Sequence, residues 1–117
     1  MRGALKLSNI LGPGKFDNER LSFKVLRNCD LGEYAVFRVE SLGDGSISTK
    51  VHNTYWFPEF KVKTGDTVVL YTKKSTSKVR ESEEGSKIYF FYFGLKDAIW
   101  VGQFTPVLAY VPQWDTL

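Results

Sequence analysis

Apolar and polar residues alternate with period two along much of the chain. In residues 20–26, Leu21, Phe23 and Val25 share one parity, while Ser22 and Lys24 take the other. Residues 33–40 put Ala35, Phe37 and Val39 on one face and Tyr34, Val36 and Arg38 on the opposite one. Residues 4–10 place Leu5 and Leu7 together, and residues 46–57 do the same for Ile47, Val51, Tyr55 and Phe57. Successive side chains of a strand point to opposite faces, so this alternation predicts half-buried strands. Residues 67–72 and 87–93 are apolar on both parities, which predicts strands covered on both sides. Residues 104–111 close the set. No window repeats apolar residues at i, i+3, i+4 and i+7, so no amphipathic helix is predicted.

Turn signals separate these runs: Gly12-Pro13-Gly14, residues 28–32, Gly43-Asp44-Gly45, Thr64-Gly65-Asp66, Glu84-Gly85-Ser86, Phe93-Gly94 and Gly102. Glycine supplies positive φ and proline fixes φ, so each is a mechanical break between strands. Short strands with such spacing predict an all-β fold, an antiparallel β-sandwich of immunoglobulin-like type, with a small Greek-key barrel as the alternative. At 117 residues the chain matches one domain, residues 1–117. Residues 73–87 contain Val79 as their sole apolar residue. They are expected to form an exposed connection that joins 67–72 and 87–93 as an antiparallel hairpin, with 75–85 projecting. Either Val69 and Phe90, or the opposite set Leu70 and Phe91, then belongs to the principal core.

Aromatic residues make up 15% of the chain, an excess that suits pleated, half-buried surfaces. Trp56, Trp100 and Trp114 are expected in the core or at its rim. The run from Ile88 to Phe93 carries rings on both parities. Exposed rings beside basic residues stack bases, but rings on both parities fit a central strand better, so the core reading is preferred for this run.

The net charge of +3 hides an asymmetry. Residues 50–80 carry Lys50, Lys61, Lys63, Lys73, Lys74, Lys78 and Arg80 against Glu59 and Asp66, a local net of +5. Residues 81–117 carry a local net of −3. A solvated surface accounts for such a distribution, and a basic segment also attracts anions. The candidate anion-binding residues are Lys61, Lys63, Lys73, Lys74, Lys78 and Arg80, drawn from the two connections that flank 67–72.

Candidate chemistry is sparse. The chain has one cysteine, Cys29, and one histidine, His52. A nucleophile needs a base in reach, and nothing in the sequence joins these two. Cys29 lies beside Asp30, whose charge raises a thiol pKa, so it is not expected to be reactive. No Cys-x-x-Cys, His-x-x-x-His or Asp-x-Asp-x-Asp pattern occurs, and Gly12-Pro13-Gly14 opens no helix, so no metal and no cofactor is expected. Glu81, Glu83 and Glu84 are offset by Lys78, Arg80 and Lys87. The first ten residues show no long apolar run and no segment is long enough to span a bilayer, so a cytoplasmic location without membrane contact is expected.

The stretch Tyr55-Trp56-Phe57-Pro58-Glu59-Phe60, followed by Lys63-Thr64-Gly65-Asp66 and the apolar strand Thr67-Val68-Val69-Leu70, resembles the central part of lamin-tail domains. Leu26-Arg27-Asn28 is similar to that family's Leu-x-Asn strand end, and Leu31-Gly32 to its Leu-Gly step. The likeness covers residues 20–100 and departs from the family at Glu33, before Tyr34, and at Val101-Gly102-Gln103. It implies an immunoglobulin-like sandwich used for protein or nucleic-acid contacts, without catalysis; the family's filament role is not expected to carry over, since no rod segment accompanies these residues. The functional expectation is a non-catalytic binding or protein-interaction module with an unknown protein partner. The alternative is a nucleic-acid-binding barrel that uses a basic face with exposed aromatics. A small hydrolase built on Cys29 and His52 ranks third.

Overall fold

The structure is a computed structural model and describes residues 3–117. Its strands are β1 (Leu5–Leu11), β2 (Arg20–Val25), β3 (Cys29–Asp30), β4 (Tyr34–Glu40), β5 (Asn53–Trp56), β6 (Lys61–Val62), β7 (Thr67–Tyr71), β8 (Lys78–Glu81), β9 (Lys87–Tyr92) and β10 (Phe104–Tyr110). A 3₁₀ turn, Leu31–Glu33, precedes β4. The strands form a five-stranded sheet in the order β1-β2-β7-β9-β8, a three-stranded sheet β10-β4-β5, and the small pair β3-β6. The fold is an all-β sandwich, as the alternation predicts.

The core lies between the sheets. Leu5, Leu21, Phe23, Val25, Val68, Leu70 and Phe91 come from one face of the five-stranded sheet, and Tyr34 and Val36 meet them from the other sheet. Phe57 sits at the junction, edge-on to Phe23 at 5.6 Å and to Phe91 at 5.4 Å. Edge-to-face packing of this kind adds to the area term of burial.

Glu19 is fully buried, and its carboxylate is saturated. Oε1 accepts the Thr72 hydroxyl at 2.5 Å and the Ile99 N–H at 2.8 Å. Oε2 accepts the Gly14 N–H at 2.9 Å and the Trp100 N–H at 3.1 Å. One side chain thereby ties three connections together at the end of the sheet, which is how a buried carboxylate is tolerated.

The centre of the large sheet differs from the expected hairpin. β7 and β9 pair in parallel, with Val68 opposite Tyr89 and Leu70 opposite Phe91. The chain leaves β7, passes over the width of one strand and returns as β8. It then turns through residues 82–86, where Ser82 N–H donates to the Ser86 carbonyl at 2.7 Å, and enters the gap as β9. A parallel pair needs a crossover, and here a strand supplies it. Part of the expected loop is therefore an edge strand. An edge strand makes main-chain bonds while burying little, and its charged side chains guard its free edge. Low apolar content was no guide to that.

Two further expectations change. β9 is covered on one face only, with Phe91 inside, while Phe90 is half-buried on the other face. Leu70 and Phe91, not Val69 and Phe90, are the core pair. The expected long strand over 46–57 shrinks to β5 and one bridge, Ser41 to Ile47, which leaves Ile47 and Val51 exposed. Trp100 is in the core, whereas Trp56 and Trp114 are exposed and pack edge-on at 5.7 Å.

Candidate ligand-binding face

Because core residues alternate along each strand, the partner positions form a second, outward face of the five-stranded sheet. Register assigns them row by row. Lys6 lies beside Lys24, Lys24 beside Thr67, Thr67 beside Ile88, and Ile88 beside Arg80. The middle row runs Asn9, Ser22, Val69, Phe90, Lys78, and the last row Leu11, Arg20, Tyr71, Tyr92. Among the described residues no strand position on this face is acidic. Its charged residues are Lys6, Arg20, Lys24, Lys78 and Arg80.

The rings lie between the cations. Tyr71 and Tyr92 stack with centroids 5.3 Å apart at 15°, and Phe90 sits 6.4 Å from Tyr71. Lys73 Nζ lies 5.2 Å from the Tyr71 ring centre and Arg20 Cζ 5.7 Å from it, while Arg80 Cζ is 5.6 Å from Phe90. These are cation–π distances. Tyr71, Phe90, Tyr92, Lys78, Val79 and Arg80 line a shallow cleft of about 380 Å³.

Of the residues expected to bind anions, Lys73, Lys78 and Arg80 reach this face. Lys74 is exposed in the connection after β7. Lys61 and Lys63 lie elsewhere, on β6 and the turn after it, where Lys61 pairs with Asp30. The sequence reading missed Lys6, Arg20 and Lys24, which come from β1 and β2 rather than from the basic middle. The signal was present in the parity of β2, since Lys24 alternates with the core residues. Only the pairing of β2 with β7 puts it beside the rings.

Cys29 and His52 do not meet. Cys29 lines a cleft with Tyr34 and Tyr110, near the start of β4. His52 donates its N–H to the Arg38 carbonyl, and its Nε2 lies 3.5 Å from the Glu40 carboxylate, near the end of β4. Tyr34 and Arg38 are separated by roughly 13 Å of strand. Burial pushes the Cys29 thiol up, and the Glu33 and Asp30 charges add to that, while Arg27 opposes it. Asp30 is held below the ordinary carboxyl range by the N–H groups of Gly32 and Phe60, which donate to Oδ1 at 2.8 and 2.9 Å. Those two bonds fix the corner between β3 and β6.

Among the described residues no group of His, Cys, Asp and Glu is placed to hold a metal ion, and no helix is long and apolar enough to cross a membrane. No protein-family model matches the chain, and no curated protein is similar enough to match it.

Proposed function

We propose that the chain is a non-catalytic binding module that takes a polyanionic partner on the outward face of its five-stranded sheet. The observation that carries this reading is the absence of any acidic strand position on a face that presents Lys6, Arg20, Lys24, Lys78 and Arg80. A surface of one sign concentrates counter-charged ligands and speeds their encounter. The likeness of residues 20–100 to lamin-tail domains supports binding rather than catalysis, and we read the sandwich as immunoglobulin-like on that ground. A cytoplasmic location fits the single cysteine.

Heparin chromatography tests it. The protein should be retained at low salt, and Lys24→Gln or the double variant Lys78→Gln/Arg80→Gln should elute earlier. Lys61→Gln/Lys63→Gln should elute close to the parent protein, because those lysines lie outside the sheet. No retention at low salt, or the larger loss from the Lys61/Lys63 pair, refutes this assignment.

A protein partner is the second reading, favoured by Trp56 and Trp114, which are 46% and 62% exposed. Exposed tryptophans are frequent anchors of protein contacts. Trp114→Ser should leave heparin retention unchanged, which separates that patch from the basic face.

A further inference from the structure

Resting on the polyanion reading, we infer that the partner is a single-stranded nucleic acid whose unpaired bases stack on Phe90 and Tyr92. Charge alone does not choose among polyanions, but the rings do. A single strand alternates phosphate charge with flat apolar bases, and this face alternates cations with flat rings. β2 and β8, which carry Arg20, Lys24, Lys78 and Arg80, flank β7 and β9, which carry Tyr71, Phe90 and Tyr92. Roughly 14 Å separates β2 from β8, at about 4.8 Å per strand step. In RNA-recognition domains, rings on a four-stranded sheet stack two or three bases.

The cations over the rings are placed to be exchanged. Arg80 covers Phe90, while Arg20 and Lys73 cover Tyr71. Among the described residues no cation lies over Tyr92, whose ring borders the cleft shared with Lys78 and Arg80. Tyr71 stacks on one side of the Tyr92 ring, so a base reaches Tyr92 from the side that borders the cleft. Stacking on Phe90 then displaces the Arg80 guanidinium toward a phosphate, so that one movement opens a ring and supplies an ion pair. A duplex gains only the ion pairs, because its base faces are already stacked. An acidic peptide leaves the rings unused. A bilayer interface favours rings that project from the surface to insert, whereas Tyr71, Phe90 and Tyr92 are half-buried in the sheet face.

The test is fluorescence anisotropy with a labelled oligo-dT strand, a duplex of equal length, labelled heparin and phosphatidylserine vesicles, each at low and moderate salt. The single strand should bind at least tenfold more tightly than the duplex, with affinity falling steeply as salt rises. Phe90→Leu and Tyr92→Leu keep apolar bulk and remove the π-face. Each should weaken single-strand binding about tenfold, the scale of one base stacked on one ring, and leave heparin affinity unchanged. Lys78→Gln/Arg80→Gln should weaken both ligands. Circular dichroism of every variant checks the fold. Equal affinity for strand and duplex, or no effect of either ring variant, overturns the single-strand inference while the polyanion reading stands. Vesicle binding that exceeds strand binding and is lost on Tyr92→Leu overturns it as well. Failure of heparin and of every oligonucleotide to bind at low salt removes the polyanion reading itself.

Discussion

The Glu19 carboxylate accepts the Trp100 N–H at 3.1 Å across 81 positions of sequence. The same carboxylate takes the Ile99 N–H and the Thr72 hydroxyl on its other oxygen. Every partner of the Glu19 carboxylate donates to it. Glu19→Gln therefore sets its amide NH₂ either against the Gly14 and Trp100 N–H groups or against the Ile99 N–H, where the Thr72 hydroxyl alone can turn to accept, and Glu19→Ala leaves buried N–H groups unpaired. Each unpaired buried group costs about 1–3 kcal/mol. Both variants should lose roughly 3 kcal/mol or more, read as a lower denaturation midpoint in urea. A neutral Glu19→Gln would falsify the donor count.

The parallel register of β7 and β9 separates neighbouring residues energetically. Phe91 is 5% exposed and packs edge-on to Phe57, whereas Phe90 is half-buried on the outward face. Phe91→Ala should cost about 3–5 kcal/mol, the range for a core aromatic. Phe90→Ala should cost roughly 1 kcal/mol, because much less area leaves water on folding. Urea melts of the two variants, at unchanged slope, measure the difference. Similar losses would mean that the outward face is packed as a second core.

Deleting β8 tests how β9 is held. β9 has β7 on one side and β8 on the other, so alternate β9 amides point to alternate neighbours. Replacing residues 76–83 with a short Gly-Ser linker should speed amide exchange at alternate positions of β9 and leave those facing β7 protected. It should also destabilise the domain measurably, where a plain loop could be shortened at little cost. Uniform protection after the deletion would show that β8 contributes nothing to the sheet.

Much of this architecture was legible in the sequence. Leu21, Phe23 and Val25 point inward because parity is local, and the Gly-rich breaks fall between strands because positive φ is local; Gly65 and Gly85, at φ 93° and 84°, lie in the turns that precede β7 and β9. Pairing is not local. Nothing in residues 67–93 states that β9 returns to lie parallel to β7, because the strand that carries the chain back is polar and buries little. The same limit applied to the candidate face. Lys73, Lys78 and Arg80 stood out as part of a basic segment, whereas Arg20 and Lys24 join them only through the register of β2 with β7. The rings at 88–93 read as core on both parities, since sequence does not show whether a second layer covers a sheet.

Cys29 is the one cysteine of the sequence. Its thiol is pushed above the ordinary value of 9.0, first by burial and then by the Glu33 and Asp30 carboxylates. The thiolate is the reactive form, so iodoacetamide should alkylate the native protein slowly at pH 7, with a rate that inflects above the ordinary thiol value. Glu33→Gln removes one repulsive charge and should lower the inflection, whereas Arg27→Gln should raise it. The unfolded chain gives up this proton at lower pH than the native one, so the contribution to stability is full below the ordinary thiol pKa and is lost as pH rises through the native value. Cys29→Ser should remove that alkaline loss while leaving the fold and heparin retention intact. An inflection below 9 in the parent protein would contradict the burial of the thiol and reopen a chemical role for it.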